Sequence, residues 1–166
     1  NDSKQKIEKN DEISSVYKYF KQFSIKKYGN KNISLDNNLS IVFAINEFDN
    51  FSNLNDMKSF LGSYENFKVL KFSNLSLQQK IFEMSNSKIM ISTDDGNEVS
   101  NAMWMPSGST LILLHKKSEN LSPAIRFIRN QNIDVMTVDI YSNSLETSLQ
   151  KVEIPLDAID KIIKDL

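Results

Sequence analysis

Apolar residues in this chain gather in short blocks rather than alternating singly with polar ones. Leu39 to Ile45 (LSIVFAI) is a nearly continuous apolar run, and Phe67 to Phe72, Lys88 to Ile91, Ser109 to Leu114 and Ile133 to Ile140 are further short runs of the same kind. Blocks of this length read as strands covered on both faces, because a half-exposed strand would alternate. Between them the apolar positions move to helical spacing. Met57, Phe60 and Leu61 follow Asn53 or Asn55 as a cap and stop near Gly62, and Leu77, Ile81, Phe82 and Met84 follow Ser76. A short amphipathic piece runs from about Gly96 to Met103, and Leu121 to Arg129 forms another helix with Pro123 in its first turn. One more helix precedes the first strand, from Asp11 to Tyr28, and one closes the chain, from Pro155 at the N1 position to Leu166. Helices alternating with buried strands predict an α/β fold, a Rossmann-like parallel sheet with helices on both faces.

Residues 1–37 read as an N-terminal helix and linker, and 38–166 as the Rossmann-like domain. Within that domain the segment from Lys88 to Leu114 is a strand, loop, helix, loop and strand, and its first loop occupies the place where α/β folds keep their ligands. The polar groups of this segment are concentrated between Ser92 and Asn101.

Composition narrows the chemistry. The chain has 166 residues with 40% hydrophobic content, enough for one domain with a real core. A net charge of -1 and no basic face argue against nucleic acid as a partner. With no cysteine and the single His115, disulfides, thiolate chemistry and a histidine cluster are excluded. No apolar run approaches the roughly 18 residues of a membrane span, and no signal segment is visible. These features fit a cytoplasmic protein; a secretory-pathway lumen is the alternative if the chain, which starts at Asn1, is one domain of a longer protein. Sequons at Asn32, Asn38, Asn50, Asn74 and Asn120 reflect the abundance of Asn and Ser.

Three stretches carry a family resemblance. LSLQQKIFEMSNSKIMIST resembles a run in which an S-F-x-E-Q helix precedes an A-D-V-L-V-G strand; DGNEVSN stands where H-G-A-G-L-T-N would be; AMWMPSGSTLILL resembles N-x-x-F-M-P-P-G-S-x-V-I-E-I. Upstream, NFSNLNDMKSFL is similar to an R-x-x-x-N-E-x-E-L segment. From about Ser40 to Leu114 the chain thus resembles the C-terminal, nucleotide-sugar-binding half of glycosyltransferase family 61, a GT-B type group. The resemblance implies a nucleotide-sugar donor, a glycan or glycoprotein acceptor, and a second Rossmann-like domain to complete the enzyme. Aligned on Asn101, the family's histidine becomes Asp95 and its second glycine Glu98, and the arginine after the first strand has no counterpart in AINEFDN.

On this basis Asp95 is the candidate general base, and Asn46, Asp94, Gly96, Ser100 and Asn101 are the candidate donor-binding residues. Asp94 and Asp95 read as oxygen ligands for Mg²⁺ or Mn²⁺ presenting a diphosphate, or, more simply, Thr93, Asp94 or Asp95 caps the following helix and Glu98 complements its dipole. No third ligand is evident, so no metal site is assigned. Ser100 and Asn101 stand either near a donor or as helix residues bonded to their neighbours. His115 reads as a base or ribose contact or as an ordinary surface histidine, and Trp104, Met103 and Met105 as a stacking platform or, more simply, as core. Phe48 and Phe51 mark either a contact with another domain or burial beneath the sheet edge. Two other functions compete: an interaction domain that keeps the fold after losing its site, and a receiver-like or phosphatase-like domain built on Asp94 and Asp95 with Asn46-Glu47 beside them.

Overall fold

Five segments pair in parallel: β1 (Ser40–Ala44), β2 (Asn66–Leu70), β3 (Ile89–Thr93), β4 (Thr110–His115) and β5 (Asp134–Asp139), in the order β2-β1-β3-β4-β5. The computed structural model describes residues 18–29, 40–46, 51–94, 96–116, 121–142 and 152–166. β1, β3 and β4 are the inner strands and are buried almost throughout, as their uniform apolar runs predict. β2 and β5 lie at the edges and are partly exposed. The polar positions of β5 follow from that placement.

Alternate side chains on each strand enter different cores. Val42, Ala44, Met90, Leu111 and Leu113 face one way; Ile41, Phe43, Ile89, Ile91, Ile112 and Leu114 face the other. The first crossover, from β1 to β2, moves in one direction across the sheet, and the next three move in the opposite direction. Right-handed crossovers then put the first helix on one face and the later ones on the other. Accordingly α2 (Leu54–Leu61) contributes Met57 and Leu61 to one core, with α6 (Leu156–Lys164) beside it through Ile159 and Ile163. The opposite core receives Ile81 and Met84 of α3 (Leu77–Ser85), Val99 of the single-turn α4 (Gly96–Val99), and Ile125 and Ile128 of α5 (Ala124–Arg129). Ala102, Met103 and Trp104, from the 3-10 helix Ser100–Trp104, and Met105 after it also lie there, as core rather than as a stacking platform. The helical residues 18–28, here α1, add Ile25 and Tyr28 to that face, and Phe20 meets Trp104 with ring centroids 5.8 Å apart. Gly29, just after α1, comes so close to α3 that an added Cβ would stand 3.1 Å from Ser85 Oγ and 2.5 Å from the Ile25 carbonyl oxygen.

Several expectations need correction. The helix expected over Gly96 to Met103 is one α-turn followed by a 3-10 helix. Ser76 does open α3 with a reciprocal capping box to Gln79, but Leu77 is 54% exposed and Phe82 42% exposed. Ile81, Met84 and Ser85 form the buried stripe, and Phe82 is rotated about 100° from Ile81. Phe20 and Phe23, apolar residues of α1, are likewise half-exposed. Pro123 and Pro155 precede their helices as N-caps instead of standing inside them. The start of the first helix at Asp11 and the residues Ile13, Val16, Tyr17, Phe48 and Glu47 lie outside the described residues.

Two short strands, β6 (Tyr141–Ser142) and β7 (Val152–Glu153), pair antiparallel and were not anticipated, since two residues carry no periodicity. Their neighbour is the segment before α2. Phe51 bridges to Val152, and Ser52 N–H donates to the Val152 carbonyl at 2.9 Å. Asn53, the N-cap of α2, makes no capping bond with its side chain. Its amide Nδ2 donates to the Ile154 carbonyl at 2.8 Å, and its Oδ1 accepts from Ile154 N–H at 2.9 Å. Phe51 itself packs against the α2/α6 core, which is the ordinary burial beneath the sheet edge.

Substituting Asn53→Ala removes both bonds and leaves the Ile154 peptide without its partner, so urea denaturation should show a loss of about 1–3 kcal/mol; an unchanged midpoint would contradict this account. Lys21 is a second test. Burial of its ammonium in α1 lowers its pKa to about 8 from 10.5, so the folded state releases this proton before the unfolded state does. Its charging penalty is present in full below pH 8 and is relieved as pH rises towards 10.5, where stability should increase. Lys21→Met should therefore be more stable at neutral pH, on the order of 1–3 kcal/mol, and should lack that rise. Parallel pH profiles for the two proteins would refute it.

Candidate functional site

In a sheet of order β2-β1-β3-β4-β5 the strand order reverses between β1 and β3, and the ligand crevice of such sheets opens at the carboxyl ends beside that reversal. Asn46 stands just past β1, Asp94 just past β3, and His115 ends β4. The parallel register pairs Thr93 with Leu114, so the next residues along, Asp94 and His115, come side by side. Asp94 N–H extends the ladder by donating to the Leu114 carbonyl at 3.3 Å.

The Asp94 carboxylate is turned inward. Its side chain is 7% exposed and that of His115 13%, and Asp94 Oδ2 lies 3.5 Å from His115 Nδ1. The same oxygen accepts the Ser122 N–H at 3.0 Å. Asp94 therefore secures the turn leading into α5 rather than its own helix α4, a different use of the carboxylate from the cap expected at that position. Asp94 Oδ1 and His115 Nδ1 are both buried without a hydrogen-bond partner. Buried polar atoms left without a partner cost stability, and sites that bind ligands are where such costs are found.

The remaining candidates are distributed differently. Gly96 opens α4, whose single turn offers a much weaker dipole than a full helix. Ser100 Oγ donates to the Asn97 carbonyl at 2.9 Å. Asn101 is buried, and its Nδ2 donates to the carbonyls of Asn97 at 3.0 Å and Glu98 at 3.1 Å. Those two side chains tie the 3-10 helix to α4. Asp95 lies outside the described residues. The structure thus gathers Asn46, Asp94 and His115 on three consecutive strand ends, β1, β3 and β4, and leaves Ser100 and Asn101 engaged with the backbone behind them.

Sequence reasoning placed the three strands but ended β3 at Ile91, two residues short of Thr93, and missed the pairing of Asp94 with His115 and the part played by Ser122. The register that brings the two polar residues together pairs Thr93 with Leu114, and an apolar run that stops at Ile91 does not reveal it. The anchor at Ser122 is a backbone amide, which residue type does not reveal.

Among the described residues no group of three or more His, Asp or Glu is placed to hold a metal ion, and no helix is long and apolar enough to cross a membrane. Comparison with protein-family models and with curated protein sequences finds no match. The architecture defines the class, a Rossmann-like α/β domain with an all-parallel five-stranded sheet.

Asp94→Ala should free the Ser122 amide. Its hydrogen exchange should accelerate at least ~10-fold, about 1.4 kcal/mol of lost local protection, while Asp94→Asn, which keeps an acceptor oxygen, preserves most of it. Equal Ser122 exchange in wild type and Asp94→Ala would show that the carboxylate does not hold this turn.

Proposed function

We propose that this chain is a glycosyltransferase-like domain that binds a nucleotide sugar at the carboxyl ends of β1, β3 and β4 and contributes to transfer of the sugar to a glycan or protein acceptor. The observation that carries the reading is the convergence of Asn46, Asp94 and His115 at the reversal of strand order, with buried polar atoms of Asp94 and His115 left unmatched. The motif resemblance from Ser40 to Leu114 supports the choice of ligand. In this reading the Asn46 amide meets sugar or ribose hydroxyls, and Gly96 lets the diphosphate approach the backbone. Ser100 and Asn101 stand behind that loop and fix its shape. Asp95 holds the family's histidine position, and supplies an oxygen donor if a divalent cation accompanies the diphosphate. A second Rossmann-like domain would close over the donor.

A second reading is an interaction domain that keeps this fold without catalysis. It is favoured by Asn101, whose amide hydrogens are directed to the Asn97 and Glu98 carbonyls instead of to the crevice. Titration calorimetry with UDP- and GDP-sugars, with and without Mn²⁺, separates the two. The transferase reading expects saturable binding with Kd of about 1 μM to 1 mM, weakened at least ~10-fold by Asp94→Ala. Heat-silent titrations of folded protein with every nucleotide sugar would favour the interaction domain.

A further inference from the structure

His115 and Asp94 leave one question that the binding reading does not answer: which ring nitrogen of the imidazole is offered to the crevice. A neutral imidazole carries one N–H and one lone pair, whereas a carboxylate only accepts. Nδ1 is the nitrogen turned towards Asp94, 3.5 Å from Oδ2, and it is buried with no other partner. With the proton on Nε2, two lone pairs would face each other where water does not reach, a cost of the kind that a buried unpaired acceptor carries. Placing the proton on Nδ1 turns the same contact into an N–H pointing at a carboxylate. Asp94 is in turn fixed by the Ser122 N–H and by its own N–H in the β3/β4 ladder, so the orienting group is rigid.

We propose that Asp94 is a positioning residue that holds neutral His115 as the Nδ1–H tautomer, so that Nε2 presents its lone pair to a hydroxyl group of the ligand. This is the division of labour in which a buried aspartate orients a histidine base. The separation of 3.5 Å is loose for a hydrogen bond, as such pairs often are before ligand binds. The chemical step rests on the glycosyl-transfer reading. The acceptor hydroxyl oxygen bonds to the anomeric carbon of the donor as the bond from that carbon to the phosphate oxygen breaks. The nucleoside diphosphate leaves with the electron pair, and the hydroxyl proton passes to Nε2, with Asp94 stabilising the imidazolium. His115 then supplies the base from β4, in place of Asp95.

His115 is the only histidine of the chain, so its ring signals are unambiguous. Long-range proton–nitrogen correlation on ¹⁵N-labelled protein without ligand, at about pH 9 where an ordinary imidazole is neutral, reads the tautomer directly. The expected spectrum has Nδ1 protonated and Nε2 bearing the lone pair. In Asp94→Ala, checked for folding by its amide spectrum, the ring should move to the Nε2–H form or to a mixture. A wild-type ring with the proton on Nε2 overturns the proposal, as does a tautomer unaffected by Asp94→Ala. Because the tautomer is read without nucleotide sugar, a wrong tautomer removes the base while leaving donor binding open. A silent calorimetric titration removes the donor reading while leaving the tautomer standing.

Discussion

Three strands buried on both faces set the terms for everything else in this molecule. β1, β3 and β4 expose almost no side-chain surface, and at roughly 25 cal/mol per Å² of apolar area their burial is the principal driving force available. A sheet of this kind is stable only when both faces are roofed, so each parallel connection must carry a helix across. The direction of the first crossover then decides which helices lie on which face. It also places the reversal of strand order between β1 and β3, and in sheets of this kind the ligand crevice lies at the carboxyl ends beside such a reversal. The position of the candidate site is therefore a consequence of how the core is closed.

The inner strands were legible in the sequence because burial on two faces leaves a composition signal that needs no partner to be read. The capping box at Ser76 was legible for a similar reason: Ser76 and Gln79 act on each other within one turn. What depended on distant partners was not. Phe82 looks like part of an inward stripe until the helix is rotated against the sheet. Asn53 looks like a cap until the segment around Ile154 arrives to claim its side chain. The helix expected after Gly96 tightens into a 3-10 turn while burying Ala102, Met103 and Trp104 in succession, a demand set by the space beneath α3 and α5.

The site shows the same division. A loop carrying Thr93, Asp94 and Asp95 reads as one acidic cluster, but the Asp94 carboxylate is committed to β4 and to the turn before α5. Its charge is thereby withdrawn from the loop surface, which reduces the repulsion that a phosphate-bearing ligand would meet there. Ser100 and Asn101 are read by motif as ligand contacts, and both are seen supporting the backbone of α4. Residue type and spacing located the region; register and hydrogen bonding distinguish which groups remain available within it.

The amide of Asn53 behaves like one more peptide unit laid alongside Ile154, extending the small β6/β7 sheet by a rung made from a side chain. The two residues are 101 positions apart. During synthesis at roughly 5–20 residues per second, Asn53 is made about 5 to 20 seconds before the segment that receives it. The approach to α2 waits through that interval with its rung unfilled, while the inner strands can already assemble. Residues from Val152 onward thus join the first crossover to the last helix, a clasp that can be fastened only once the chain has been made as far as Ile154.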